Sequence, residues 1–538
     1  MLHQKMIRLA VLLAGVVSFA FAQGKPISQL VKNGDKYTFL VDGKPFLILG
    51  SQVGNFSAFP DRMERAWPKF KAMNANTVEY PVYWNVIEAE EGRFDFTAFD
   101  QILRSTRAQG LRAVLLWFGT WKNGAMDWTP NWVKSNPARF PRVIDSGGHP
   151  IRVLSPNAPA NLEADRKAYI AMMKHLREID EADRTVIMMQ VENEPGLLGS
   201  ARDFSPAANG QFNGPVPAAL VSALNKKPGN WKEVFGNRLA DEAFAAYSVA
   251  SYINEVARAG KQIYPLPTYV NVWQGGDGTH DQPDRFDRPG DTWPSGGAVT
   301  HMLDLWKAVA REIDILSPDT YHQSPIIHRQ IFSAYRRPDN PLFVPETGGR
   351  IAARTLFYAL GDYSAIGFAP FGIDGGAPGS ELNTEFAAVG AGFRLIGSAL
   401  PVIAELQGSE KLKAVVEEEA IPSRLMYFDR YDLLIRFHPT GRDSEPAQTG
   451  PTQPGRALVC ELGPDDFLVM GFDAAVEFKP AMGSGYTAAQ FLQVEYGAYQ
   501  NGVWKPAESG NTAQGDYAPP AVRLPSQGAL IRVKLMRY

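Results

Sequence analysis

Between Pro45 and Phe371, short apolar runs rich in branched side chains alternate with longer stretches of helical hydrophobic periodicity. The runs are Pro45–Gly50, Thr77–Tyr83, Arg112–Phe118, Thr185–Val191, Pro267–Trp273, Ile313–Leu316, Pro341–Pro345 and Ser364–Phe371. Continuous apolar runs of this length mark strands buried on both faces, as in a parallel sheet covered by helices. Helix-like stretches such as Phe99–Gln109 and Ala164–Ile179 lie between them. The pattern predicts an α/β fold in which eight strand–helix units close into a (β/α)8 TIM barrel. An open doubly wound sheet is the structural rival, but no GxGxxG or phosphate-binding glycine loop follows an early strand.

After about Gln407 the texture changes. Leu412–Glu418, Leu425–Phe428, Tyr431–Phe437, Ala457–Leu462, Phe467–Phe472, Phe491–Tyr496 and Ala529–Leu535 are strand-like runs separated by Gly, Pro and Asp turns. That spacing predicts a smaller C-terminal antiparallel β-sandwich, residues 408–538, after a barrel over residues 23–407. At the N-terminus, Lys5 and Arg8 precede the apolar stretch Leu9–Phe21, and Ala20-Phe21-Ala22 forms a small-x-small cleavage site before Gln23. Residues 1–22 therefore read as an export signal, and the expected location is periplasmic or secreted. The apolar stretch is short for a membrane span, and no later segment reads as one. The only cysteine, Cys460, leaves no partner for an intramolecular disulfide.

Composition narrows the chemistry. A net charge of -3 and a pI near 6.3 supply no basic field for nucleic acid. The 8 histidines show no HExxH spacing and no thiolate cluster can form from one cysteine, so neither a metal nor another cofactor is expected. No GxSxG elbow is present. What the chain does offer is carboxylates at predicted strand ends. Gln190–Gly196 reads QVENEPG and closes the fourth run; Gln190, Glu192 and Glu194 alternate with period two and share a face for as long as the strand lasts. Leu342–Gly349 reads LFVPETGG and sets Glu346 at the end of the seventh. Barrel enzymes keep their reacting groups at the C-terminal ends of strands. Two carboxyl groups facing each other there are the minimal equipment for glycoside hydrolysis. Ion-paired rim carboxylates are the plain structural alternative, and a sugar-binding barrel without activity is the alternative in function.

These segments resemble the glycoside hydrolases of clan A, and within them family 35, the β-galactosidases, in a two-domain bacterial form with a C-terminal sandwich. The resemblance rests on PFLILGSQVGNFSAFP at strand one, on Met73–Phe96 at strand two, on Gly110–Gly124 at strand three, and on QVENEPG and VPETGG. The most specific part is Trp84, Asn85, Glu88, Gly92, Phe94, Asp95 and Phe96, which match W-N-x-x-E-x-x-x-G-x-F-D-F. It covers about Gln29 to Leu400. It implies that Glu194 is the acid/base and Glu346 the nucleophile of a retaining, exo-acting β-galactosidase, with Glu192 a structural neighbour. It further implies an oligosaccharide substrate, with xyloglucan-derived galactosides as one class. Asn193 resembles the residue that bonds a sugar hydroxyl, and Tyr321 the tyrosine that bonds the nucleophile. Tyr83 and Asn85 are candidates for hydroxyl contacts, and Trp273 and Trp117, with Trp84, Trp121 and Trp128, for a sugar platform. The stretches Gly199–Gly229 and Gln274–Ala298 are expected to overhang the mouth.

The sequence departs from the family in places. Gly119-Thr120-Trp121 is followed by Lys122 and Asn123 where a Gly-Pro-Tyr and an acidic residue before Trp are usual, Pro195 stands where Tyr is usual, and Thr347 and Gly348 replace an aromatic pair. These positions shape a sugar pocket, so other clan A β-glycosidases, such as β-glucosidases, arabinosidases and family 42 enzymes, stay open as alternatives.

Overall fold

The computed structural model describes residues 25–276, 286–375, 379, 381–418, 421–439, 454–510, 512 and 519–538. The expected signal, residues 1–22, lies outside them. Eight parallel strands form one sheet: Ile48–Gln52, Thr77–Tyr83, Arg112–Lys122, Val186–Asn193, Thr268–Trp273, Ile315–Thr320, Glu346–Thr347 and Gly367–Phe368. They lie in sequence order, with the eighth beside the first. A parallel bridge between Val344 and Phe368 joins the seventh to the eighth, with Val344 N–H donating to Gly367 O at 3.2 Å and Ala369 N–H to Val344 O at 2.9 Å. The sheet closes, and the expected barrel is what forms.

Helices follow the strands. Pro60–Ala72, Thr97–Ala108, Pro159–Asp180, Trp231–Lys261, Leu303–Val309, Pro325–Tyr335, Gly349–Gly361 and Thr384–Ser398 cover the outside. Their starts are local chemistry. Proline stands in the first turn of three of these eight helices, at Pro60, Pro159 and Pro325, where its missing N–H costs nothing. Asn230 and Glu233 form a reciprocal capping box at the start of Trp231–Lys261, which kinks at Gly236.

Strands three and six run furthest beyond the apolar pattern, and both extensions reach the C-terminal mouth. Strand three continues past Phe118 to Lys122, and strand six continues through Ser317-Pro318-Asp319 to Thr320. Pro318 does not end strand six, because it is paired in parallel with Val272. Register then sets neighbours at the mouth, with Asp319 opposite Glu346 and Thr320 opposite Thr347.

Beyond the helix Leu400–Leu406, strands from Leu412–Val416 to Ala529–Arg537 build a six-stranded and a four-stranded antiparallel sheet. Alternation divides their side chains. Leu433, Ile435, Val459, Phe467, Val469, Val476, Phe478 and Val533 fill a core of their own. Leu412, Ala414, Leu458, Cys460, Leu468, Met470 and Phe472 instead join the core of the barrel. Phe357 on a barrel helix meets Phe472 edge-on at 6.2 Å, and Tyr358 Oη donates to Glu418 at 2.8 Å. The Cys460 thiol, buried in this seam, is pushed up to about 12 by desolvation, so it packs as a small hydrophobe.

Candidate active site

The end of strand four carries the chain's acidic residues through an unusual backbone. Glu192 and Glu194 both adopt positive φ, 65° and 45°. Left-handed backbone at two non-glycine residues costs energy and persists only where the surroundings enforce it. Here the enforcement is visible. Asn271 Oδ1 accepts from Glu194 N–H at 2.9 Å, and Glu194 O accepts from Gly124 N–H at 2.9 Å. The consequence corrects the shared-face expectation for QVENEPG: the twist at Glu192 ends the alternation, and the two glutamates enter different environments.

Glu194 lines a cavity of about 390 Å³ at the C-terminal mouth, together with Glu346, Asp319, Tyr321, Trp273 and Lys122. Carboxylate oxygens of Glu194, Asp319 and Glu346 lie within 4.8 Å of one another. Tyr321 Oη donates to Glu346 Oε1 at 2.5 Å, and Asn271 Nδ2 donates to Asp319 Oδ2 at 2.6 Å. Burial, followed by the charges of Glu346 and Glu194 and a hydrogen bond with Glu194, holds the Asp319 carboxyl well above the usual carboxylate range. A hydrogen bond between two carboxyl groups needs a proton, which Asp319 and Glu194 share. Such spacing could hold a metal ion, but this proton, the Tyr321 and Asn271 donors and the nearby Lys122 ammonium already offset the negative charge.

Glu192 faces the barrel wall instead. Its Oε2 accepts from Trp121 N–H at 2.7 Å, and its carboxyl meets that of Asp165. Asp165 in turn accepts from Trp117 Nε1 at 2.8 Å, Thr120 Oγ1 at 2.7 Å and Tyr252 Oη at 3.1 Å. Two carboxylates cannot bond without a proton between them. Desolvation first, then the Asp165 charge, raises Glu192 well above its ordinary value, so Glu192 carries that proton. Gly119 is required beside this cluster, because a Cβ there would stand 2.7 Å from Glu192 Oε1 and 2.3 Å from Trp117 Nε1. A carboxyl whose folded pKa is raised binds more protons in the native than in the unfolded state at pH values above the ordinary 4.5. Its contribution is full below that value and is lost as pH rises through the folded pKa. Glu192→Gln, which keeps the shape and removes the titration, is expected to flatten the loss of melting temperature between about pH 5 and pH 8. The expected slope removed is at most about 1.4 kcal/mol per pH unit. Parallel wild-type and variant curves across that window would refute the proton assignment.

The structure brings some of the sequence-selected residues together and leaves others apart. Tyr321 and Trp273 line the cavity, and Trp273 Nε1 is held by Thr292 O at 2.8 Å. Asn193 is fully buried beside it, bonded to Lys122. Trp117 does not reach the cavity: it is buried against Tyr169 of the helix Pro159–Asp180 and serves Asp165. Tyr83 stacks on Trp128 at 3.9 Å and donates to Asn55 O at 2.9 Å, one layer behind the lining residue Asn55. Asn85 is half-buried and anchors its backbone N–H on Trp128 O at 3.0 Å, outside the lining. Trp84 is sealed in the core, where it donates to Glu88. The stretch Gly199–Gly229 is built rather than loose, with helices Pro206–Asn213 and Ala218–Ala223. Of Gln274–Ala298, residues 277–285 lie outside the described residues, while Ser295 bridges to Leu197 beside strand four.

Asp319, Asp165 and Glu79 are buried acids that sequence reasoning missed, and Lys122, which it named only as a departure from the family pattern, is buried beside the cavity. Glu79 lies deeper in the barrel, where Tyr269 Oη donates to it at 3.3 Å and desolvation raises its pKa well above normal. For Asp319 a signal existed: SPDTY directly precedes the selected Tyr321. Strand Ile315–Thr320 had to be extended through its proline to use it.

Together these features define a barrel with clustered carboxylates at the C-terminal mouth of its strands, an arrangement equipped for acid–base and nucleophilic chemistry. Residues 38–140 match the family model Glycosyl hydrolases family 35, and residues 389–516 match a domain of unknown function, DUF5597. The resemblance to family 35 read from the sequence holds. A "Beta-galactosidase" of Xanthomonas manihotis is 29% identical over 230 residues, which is 37% of this chain and 35% of that protein. "Beta-galactosidase 8" of Oryza sativa subsp. japonica is 25% identical over 213 residues, 37% of this chain and 28% of that protein. The chain thus spans about a third of the length of the curated relatives it matches. Among solved structures, the β-galactosidase of Marinomonas ef1 superposes with a TM-score of 0.49 at 13% identity, over 67% of this chain and 62% of that one. The family match ends before Glu194 and Glu346, so the roles of those two rest on geometry.

Proposed function

We propose that the chain is a retaining β-galactosidase that removes terminal β-D-galactosyl residues from oligosaccharides by double displacement. One observation carries the reading. Oxygens of Glu194 and Glu346, on strands four and seven, lie within 4.8 Å across a sugar-sized cavity. Retaining enzymes hold their two carboxyl groups about 5 to 5.5 Å apart, and inverting enzymes about 6.5 to 9.5 Å apart to admit a water. Glu346 is the nucleophile: its Oε1 is oriented by Tyr321, and it attacks the anomeric carbon as the glycosidic bond breaks. Glu194 gives its proton to the leaving oxygen and then takes one from water, which displaces Glu346 and restores the starting enzyme. Asp319, hydrogen-bonded to Glu194 and raised by burial, holds a proton within the pair, as a general acid needs.

The names of the matched relatives support galactose as the glycone. The leader-like N-terminus supports export to the periplasm or beyond, and xyloglucan-derived oligosaccharides are the proposed natural class. A panel of nitrophenyl β-galactoside, β-glucoside and α-arabinoside, followed by proton NMR of the first product, tests the reading. β-Galactoside is expected to be the fastest substrate, and the β-anomer to appear first. First release of the α-anomer would remove Glu346 as nucleophile, and inertness toward every glycoside would leave a sugar-binding barrel.

A further inference from the structure

Strand three pairs with strand four from Ala113 to Trp117, opposite Val186 to Val191, and then only once more, at Lys122 opposite Asn193. Five residues on strand three thus span two on strand four. A bulge of this kind re-aims a side chain and is common beside reacting groups. Its backbone is fastened on every side. Trp121 N–H donates to Glu192 Oε2, Lys122 N–H to Ala125 O at 2.8 Å, and Asn123 N–H to Asn193 O at 3.2 Å. What the bulge delivers to the cavity is Lys122, only 4% exposed, its ammonium 5.2 Å from the Phe118 ring centroid.

A buried ammonium presents three donors. One goes to Asn193 Oδ1 at 2.7 Å. That bond fixes the amide: with its oxygen committed to Lys122, the Nδ2 group must face away from the lysine, and this Nδ2 is buried with no partner among the described residues. Across the cavity stand the acceptors Glu194, Glu346 and Asp319, and the Lys122 charge is felt at Asp319. A sugar hydroxyl is both donor and acceptor. Lodged between these walls, it would accept from Lys122 and give its own proton to a carboxylate. An anionic group would meet three acidic side chains and one cation, so the site favours a neutral glycone.

We propose that Lys122 is a glycone-binding and specificity-determining residue, which donates to one hydroxyl of a neutral hexose and at the same time orients Asn193 toward the ligand. The proposal rests on the glycosidase reading and names a part of its binding site. It also locates the selectivity in the segment that departs from the usual family pattern, since the lysine arrives only through the bulge.

The experiment compares wild type with Lys122→Met, which keeps the stem over Phe118, and with Lys122→Gln in case the first variant fails to fold. Binding of D-galactose and of its 2-, 3-, 4- and 6-deoxy forms is measured by calorimetry, and kcat/KM is measured on the matching nitrophenyl glycosides. The expected result is a loss of about 10- to 100-fold for the full sugar, the range of a hydrogen bond to a charged donor. For one deoxy sugar, the one lacking the contacted hydroxyl, variant and wild type should be equal. A loss of the same size for every sugar, or none, would show a merely structural lysine and overturn the proposal. If wild type hydrolyses no glycoside, the reading of function fails while the calorimetry still decides on Lys122; failure of wild type to bind any of these sugars would overturn both.

Discussion

Glu346→Ala is expected to lower turnover of nitrophenyl β-galactoside by about 10⁴-fold or more, equivalent to about 5.5 kcal/mol of transition-state stabilisation. Tyr321 Oη addresses this carboxylate, while Asp319 is held by Asn271 instead, so its role is not simply taken over by its neighbour. Removing it abolishes the covalent route, and a good leaving group cannot compensate. Azide, if it restores any activity, should enter the vacated space and give an α-glycosyl azide by a single displacement. Thermal stability should not fall, because taking one of three clustered acids away relieves repulsion around Asp319. An active Glu346→Ala enzyme, or a β-azide product, would overturn the assignment.

Glu194→Ala is expected to cost about 10²- to 10⁴-fold on substrates whose leaving group needs a proton, the usual worth of general acid–base catalysis. With a dinitrophenyl leaving group the first step should survive and the glycosyl-enzyme should accumulate, visible as a burst and as a mass increment on Glu346. Azide attacks without a base, so it should restore turnover and give a β-glycosyl azide. Glu192→Ala is the control. Its carboxyl is bonded to Trp121 N–H and Asp165 behind the barrel wall, so this variant should lose stability and show no azide rescue. Rescue in Glu192→Ala rather than Glu194→Ala would exchange their roles and refute the reading of the strand-four segment.

These expectations depend unequally on sequence and on folding. Seven of the eight barrel strands overlap the apolar runs, because a strand buried on both faces has no polar side to interrupt it, while the seventh, Glu346–Thr347, starts just after its run Pro341–Pro345. The sandwich was legible from its turns. Glu194 and Glu346 could be placed at strand ends because QVENEPG and VPETGG each follow such a run directly. Local pattern sufficed there, since burial dictates residue type position by position.

Three things were decided only by the tertiary structure. Strand three's bulge was invisible: Lys122 and Ala125 close the Asn123-Gly124 turn locally, but where the strand leaves and rejoins strand four is set by Asn193 O and Glu194 O. The parting of Glu192 from Glu194 was also hidden: periodicity assumes extended backbone, and positive φ at both residues is imposed by Trp121, Gly124 and Asn271 from neighbouring strands. Trp117 could be read as a sugar platform until Asp165 and Tyr169, more than forty positions away in the chain, were seen to hold it on the outer wall. The sequence by itself determined which elements form and which carry acids, since those follow from desolvation and local geometry. Which acids share a proton, which face the cavity, and where Lys122 points are set by contacts between strands distant in sequence, and only the closed barrel supplies those contacts.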